Sequence, residues 1–266
     1  MTDPTLASIF VHPIKSLDPV PLARAEVLDA GGLSYDREYV IVDANGNYVT
    51  GKRERETHRL ASSFDPETGA LTLGPRDGDA RETFSLPDER EAVSEWLAGF
   101  LGYEVELQRD TSGGFPDDTH ASGPTVIAQA TIEVVADWFD DIDPEEMRRR
   151  LRPNLVVEGV DPFWEDRLYA DRESVVAFDV GDARFEGVNP CQRCAVPTRD
   201  PDTGETTEGF RERFVQQREV TLPEWANRDW FDHHFRLMVN THVPRETVGQ
   251  SLGVGDPISL AGVREA

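Results

Sequence analysis

Lysine is nearly missing from this chain. Of its 27 basic residues only Lys15 and Lys52 are lysine, and the other 25 are arginine. Cysteine is equally scarce, since Cys191 and Cys194 are the only two. Two thiols cannot build a four-cysteine iron–sulfur site, and two lysines leave little scope for Schiff-base chemistry. No apolar run approaches the roughly 18 residues that span a bilayer, and the opening MTDPTLASIF lacks the basic segment and apolar block of a secretory signal. The expectation is a cytoplasmic protein with no membrane partner. No GxGxxG or Walker-type loop is present, so no dinucleotide site of that kind is expected. Basic charge is short overall: 51 acidic residues bring the formal net charge to −24, which argues against nucleic acid as a partner. An acidic, lysine-poor surface is the composition of a halophilic protein, whose self-repulsion high salt would screen.

What the 266 residues do contain is turn chemistry between short β-branched runs. EYVIVDANGNYVT places Asn45-Gly46 between two alternating runs, a strong hairpin signal. SSFDPETGALTLG repeats the pattern around Glu67-Thr68-Gly69, and VVAFDVGDARFEGV around Gly181-Asp182. Helices are fewer. Residues 88–102 carry apolar side chains at helical spacing and end on Gly102. Residues 130–139 form a second candidate. In DIDPEEMRRRLRPNLVV, Asp143 can cap a helix with Pro144 at its first position, Pro153 stops it, and a strand follows. The fold class expected is mainly β with α+β elements. The loop RDTSGGFPDDTHASGP is the expected seam, dividing the chain into 1–112 and 113–266.

NPCQRCAVPTRDPDTGE holds both cysteines two residues apart. A thioredoxin-like pair needs a helix after the first cysteine, which Pro197, Pro201 and Gly204 oppose. A zinc site would have to draw two ligands from His12, His58, His120, His233, His234 and His242, and His233 and His234, adjacent in an expected helix, point apart. A disulfide across two residues would be strained, and a buried cysteine could be a small hydrophobe. Arg193 stands directly before Cys194 at an expected strand end. A thiolate there would be stabilised and available as a soft metal ligand.

This segment resembles the signature of the MOSC domain, P-C-x-R-C followed by D-x-x-T-G. VHPIKSLDPVPLARAEVLDAGGLSYDREYVIVD is similar to the N-terminal MOSC β-barrel domain of the group that includes the mitochondrial amidoxime-reducing component and its bacterial relatives. RLRPNLVVEG and LGVGDPISL fit the same group. The resemblance implies an N-terminal β-barrel-like domain followed by a MOSC β-barrel domain with a few peripheral helices. It implies a molybdenum cofactor, a Mo-pterin, whose metal is ligated by Cys194 as the catalytic thiolate, with Cys191 packed beneath the loop.

By the same resemblance Lys15, Ser16 and Arg37 would hold the pterin phosphate. Arg152 and Asn154 would hold the cofactor from the second half, with Arg193 beside the ligand. Lys52 falls near a family arginine. Where the family has Asp-Thr-Ser this chain has His120, Ala121 and Ser122, so only Ser122 carries over, and Gln192 departs from the small residue beside the ligand. The activity implied is reduction of small N-hydroxylated substrates, with electrons from a separate ferredoxin- or flavin-type donor protein. Asp200 and Asp202 would relay protons or, more simply, form a polar turn. The alternative is a sulfur-carrier or cofactor-carrier module with a persulfide on Cys194, and pyridoxal phosphate would belong to a separate domain of the sulfurases. A zinc-stapled binding protein is a third reading.

Overall fold

The computed structural model describes residues 3–86 and 88–265. The first half contributes strands β1 (Thr5–Val11), β2 (Val20–Leu22), β3 (Arg24–Glu26), β4 (Tyr39–Asp43), β5 (Leu60–Asp65), β6 (Ala70–Pro75) and β7 (Glu82–Ser85). Helix α1 (Arg90–Leu101) and β8 (Val105–Arg109) follow. Next come β9 (Val126–Ala128), α2 (Gln129–Ala136), α3 (Pro144–Leu151), β10 (Leu155–Glu158), β11 (Ser174–Val180) and β12 (Ala183–Gln192). Helix α4 (Phe210–Thr221), β13 (Arg236–His242), β14 (Ser251–Gly253) and β15 (Ile258–Glu265) complete the chain. The molecule is mainly β with a few helices, as the turn-punctuated sequence implies.

One sheet organises the molecule, with strand order β15-β11-β12-β13-β9-β10-β1-β2. The order is open rather than closed among the described residues. β1 runs antiparallel to β10, with Thr5 opposite Glu158, so the opening strands of the chain hydrogen-bond to strands of the second half. Leu6, Ile9, Phe178, Phe185 and Val239 are fully buried on one side of this sheet. A second core joins α2, α3 and α4 through Ile132, Met147, Leu151, Phe210 and Phe214. The third belongs to the first half alone: Ile41, Leu60, Leu71, Leu73, Val93 and Leu97 pack β4–β6 against α1.

Local chemistry explains most of these elements. β5 and β6 pair around Glu67-Thr68-Gly69, where Gly69 has φ +72 and the Leu86 carbonyl oxygen would lie 2.5 Å from any Cβ. β11 and β12 pair around Gly181-Asp182. α1 ends on Gly102 in the left-handed conformation. In α3 the Asp143 carboxylate accepts the Glu146 N–H at 2.8 Å, Pro144 takes the first position, and Arg152 closes the helix before Pro153.

Two expectations need correction. The Asn45-Gly46 turn forms, but its second arm meets β4 only through the Val42–Tyr48 bridge and is not a strand. β4 pairs instead with β8, a longer partner that fills its hydrogen bonds. His233 and His234 lie in a bend before β13, not in a helix, because Asp232 and the His233 ring accept the backbone N–H groups that a helix would use. α4 was not foreseen from the sequence.

Candidate functional site

A cleft of about 900 Å³ opens where the loop after β8, the turns after β1 and β4, and the β12 end converge. Lys15, Ser16, Arg37, Ser122, Arg152, Asn154, Arg193 and Cys194, eight residues scattered over 180 positions, all line it. Lys52, Cys191, Ala121 and Gln192 line it too. His120, Asp200 and Asp202 are not among its lining residues.

On the first-half wall, Lys15 is buried and donates from Nζ to the carbonyls of Phe115 at 2.8 Å and Pro116 at 3.1 Å. Its charge meets Asp117 Oδ1 at 2.8 Å, and Arg37 Nε reaches Asp117 Oδ2 at 3.4 Å. Burial lowers the Lys15 pKa and Asp117 opposes the shift. The Asp117 side chain is 70% exposed. Partial desolvation would raise its carboxyl, but Arg37 and then Lys15 outweigh this and hold it far below the usual carboxylate range. The loop is held against Arg37 because Phe115 N–H donates to the Arg37 carbonyl at 2.8 Å. Gly114, at φ +66, allows the approach, since a Cβ there would lie 2.6 Å from that oxygen.

Behind the cations sit Asp36, which the sequence did not single out, and His12, which it offered only as one of six histidines for a zinc site. Asp36 pairs with Arg37 and accepts the His12 backbone N–H at 2.9 Å. Burial would raise Asp36, but Arg37 and the His12 hydrogen bonds dominate and hold it at about 2. His12 is fully buried, and desolvation followed by the Arg152 charge lowers it to about 3, so it is neutral at physiological pH. The signal for Asp36 was its adjacency to Arg37. A lone buried histidine gave none.

The second-half wall is built from the end of α3. Arg152 donates from Nη2 to Leu17 O at 2.9 Å, which joins the two halves, and burial together with Arg37 lowers its pKa to about 10. Asn154 is almost wholly occupied: Oδ1 accepts from Thr125 N and Oγ1 at 3.2 Å, and Nδ2 donates to Phe10 O at 3.0 Å. Ser122 Oγ donates to Ala30 O at 2.7 Å. Backbone strain gathers here. Of six non-glycine residues at positive φ among those described, Ser16, Arg37, Arg152 and Met238 line the cleft.

The thiols are unpaired and partly buried. The sequence places the Arg193 cation beside Cys194; the structure turns it to the other sulfur. Arg193 Nη1 approaches Cys191 Sγ at 3.2 Å and Met238 Sδ at 3.7 Å, while Nη2 donates to Leu151 O at 2.7 Å. The reason is the strand: Arg193 N–H donates to Phe235 O, so its side chain follows the β12–β13 register, which shifts between Pro190 and Gln192. Arg193 Nε is buried without a partner. Cys194 lies one step beyond, where its Sγ accepts the Val196 N–H at 3.4 Å. Cys191 packs against the α2–α4 core.

Asp200 caps a turn, accepting Asp202 N–H and Thr203 N–H on Oδ1, each at 2.8 Å. Asp202 pairs with Arg149 and lies 3.4 Å from Arg76. Both carboxylates are thus committed outside the cleft. No group of three or more His, Cys, Asp and Glu side chains comes together to hold a metal among the described residues. No helix among the described residues is long and apolar enough to cross a membrane.

Two family models match the chain: the MOSC N-terminal beta barrel domain over residues 3–104 and the MOSC domain over residues 117–259. The chain is similar to mitochondrial amidoxime-reducing component 1 of Homo sapiens, with 24% identity over 97% of this chain and 83% of that protein. Similarity to mitochondrial amidoxime reducing component 2 of Macaca fascicularis is 22% over 96% of this chain and 82% of that protein. Molybdenum cofactor sulfurase of Caenorhabditis elegans is 29% identical over 76% of this chain, and the match spans only 30% of the sulfurase.

Proposed function

The chain belongs to the MOSC family, and from that premise we propose that its cleft binds the molybdenum cofactor and serves the reduction of N-hydroxylated compounds, with electrons from a separate donor protein. One observation carries this reading. A thiol on the second-half wall faces a space to which Lys15 and Arg37 bring charge from the first half and Arg152 from the second.

The residues suit such a group. A phosphate-bearing pterin is anionic, and in this acidic protein the cleft presents Lys15, Arg37, Arg152 and Arg193, of which neither Arg152 nor Arg193 meets a carboxylate among the described residues. The buried, unpartnered Arg193 Nε is a donor without an acceptor. Soft sulfur from Cys194 suits molybdenum.

In this reading Lys15, Ser16 and Arg37 hold the phosphate, Arg152 and Ser122 hold the pterin edge, and Cys194 ligates the metal. When bound, the cofactor supplies two-electron removal of oxygen from an N–OH group, chemistry that no side chain offers. The chain supplies orientation. The Val196 N–H, donated to Cys194 Sγ, fixes the direction in which the sulfur points. Asn154, its amide committed to Thr125 and Phe10, holds β1 and β10 in register so that Lys15 and Arg152 stay opposed. Arg193, tied to Cys191 and Leu151, fixes the strand end that presents Cys194.

The test is metal and pterin content of protein from a host that makes the cofactor. Wild type is expected to carry near-stoichiometric molybdenum and pterin, and Cys194→Ala to lose the metal. Only then does amidoxime reduction with an artificial electron donor become the assay. Folded wild type with neither metal nor pterin would overturn the reading. The free Cys194 and the likeness to sulfurases favour the second reading in that case, a persulfide carrier, which mass spectrometry would reveal as one added sulfur on Cys194.

A further inference from the structure

A second, smaller cavity of about 40 Å³ lies on the far side of Ser16 and Arg152, between the turn after β1, α3 and the Val196–Pro201 loop. Neither cysteine, nor Lys15, nor Arg37 lines it. Five of the chain's arginines do: Arg76, Arg149, Arg150, Arg152 and Arg199. Such crowding is unexpected in a protein of net charge −24 unless something negative belongs among them.

The protein's own carboxylates do not complete the balance. Asp18 pairs with Arg76, Asp202 with Arg149, and Glu146 with Arg150. Five guanidiniums against three carboxylates leave Arg152 and Arg199 unmatched among the described residues. Arg152 gives one N–H to Leu17 O, and Arg199 gives Nη1 to Gly204 O at 2.8 Å. Arg199 Nε is buried with no partner, a donor whose desolvation is uncompensated. His58 adds no charge, because burial lowers its pKa, and its Nε2 is committed to Gly51 O at 3.0 Å.

Size narrows the occupant. At roughly 10–15 Å³ per water on this measure, the cavity takes about three waters, the bulk of a small tetrahedral oxyanion and far less than a pterin ring. Planar guanidinium forks match the oxygen edges of phosphate or sulfate better than a spherical halide. We propose that this pocket is a binding site for a phosphate-class oxyanion, held by Arg199, Arg152 and Arg76 with the Ser16 hydroxyl at its mouth. The anion is either free in solution or the phosphoryl end of a ligand lying in the large cleft, since Ser16 and Arg152 line both spaces. The second source rests on the cofactor reading and would move its phosphate from Lys15 and Arg37 into this pocket, with Ser16 common to both placements; the first source does not rest on it.

Inorganic phosphate is titrated into cofactor-free protein by calorimetry, with potassium chloride holding the ionic strength constant. Saturable one-to-one binding is expected, weakened at least tenfold in Arg199→Gln and only partly in Arg199→Lys. Phosphate should also raise the wild-type melting temperature above that in matched chloride, a readout that needs no variant to fold. Absence of saturation, or equal affinity in wild type and folded Arg199→Gln, would overturn the proposal. Cofactor content of Arg199→Gln from a competent host then separates the sources. Content that falls with phosphate affinity identifies the phosphoryl end of the cofactor, and unchanged content identifies a free anion. Wild type that binds phosphate but carries no pterin would remove the cofactor reading and leave this site standing.

Discussion

Glu165 and Asp166 set two buried carboxylates against one guanidinium, that of Arg218, and all three are at most 1% exposed. Arg218 Nη2 grips Asp166 at 2.6 and 2.8 Å, so Glu165 is left to accept from Thr131 Oγ1 at 2.9 Å and Ala128 N–H at 3.3 Å. Burial, then the Asp166 charge, raises the Glu165 pKa. The folded protein therefore keeps a proton that the unfolded chain releases above the ordinary value of 4.5. That contribution is complete below 4.5 and is lost as pH rises, at up to about 1.4 kcal/mol per pH unit until the folded carboxyl itself ionises. Glu165→Gln, neutral at every pH, is expected to flatten the decline and to melt above wild type at pH 8. Parallel melting curves for the two proteins between pH 5 and 8 would contradict this. Legibility at this scale depended on scarcity and motif. Lys15 stood out as one of two lysines, whereas its bond to Asp117 could not be read, because nothing in composition links positions 102 residues apart.

At the scale of elements, caps decided what could be read. α3 announced itself through Asp143, Pro144 and Pro153, and it carries Arg149, Arg150 and Arg152 to the two cavities. Asp143→Ala is expected to cost about 1 kcal/mol, seen as a lower urea midpoint with unchanged slope. α4 has no such announcement. It starts from Gly209 in a left-handed conformation with no side-chain cap, and its buried face reads Phe210, Phe214, Arg218. An arginine in the third apolar position hides the stripe, and only Asp166, 52 residues away, makes its burial tolerable. Hairpins were legible where both arms found partners. β4 was misjudged because its partner, β8, lies beyond the intervening β5–β7 sheet and α1 in sequence.

At the scale of the whole molecule, 51 acidic residues on a 266-residue chain repel one another, and the surface ion pairs relieve only part of this. Raising potassium chloride from 0.1 to about 2 M shortens the screening length from roughly 10 Å to a few ångströms. The melting temperature is expected to climb across that range. A flat or falling profile would remove the halophilic reading of the composition. The family and the mainly β class were legible from separated motifs in order, but the shared sheet was not, since strand partners far apart in the chain leave no local trace.

That sheet also imposes an order on synthesis. β1 leaves the ribosome roughly 150 residues before β10, the strand against which Leu6 and Ile9 are in register. At about 5–20 residues per second the first strand waits tens of seconds or less with one edge unsatisfied, as a nascent segment in search of a partner. The compact β5–β7 sheet and α1 can close during that interval, because their contacts are local. The cleft is completed later still, since Cys194 and Asn240 on its wall leave the ribosome after the chain's earliest strand has been claimed by β10.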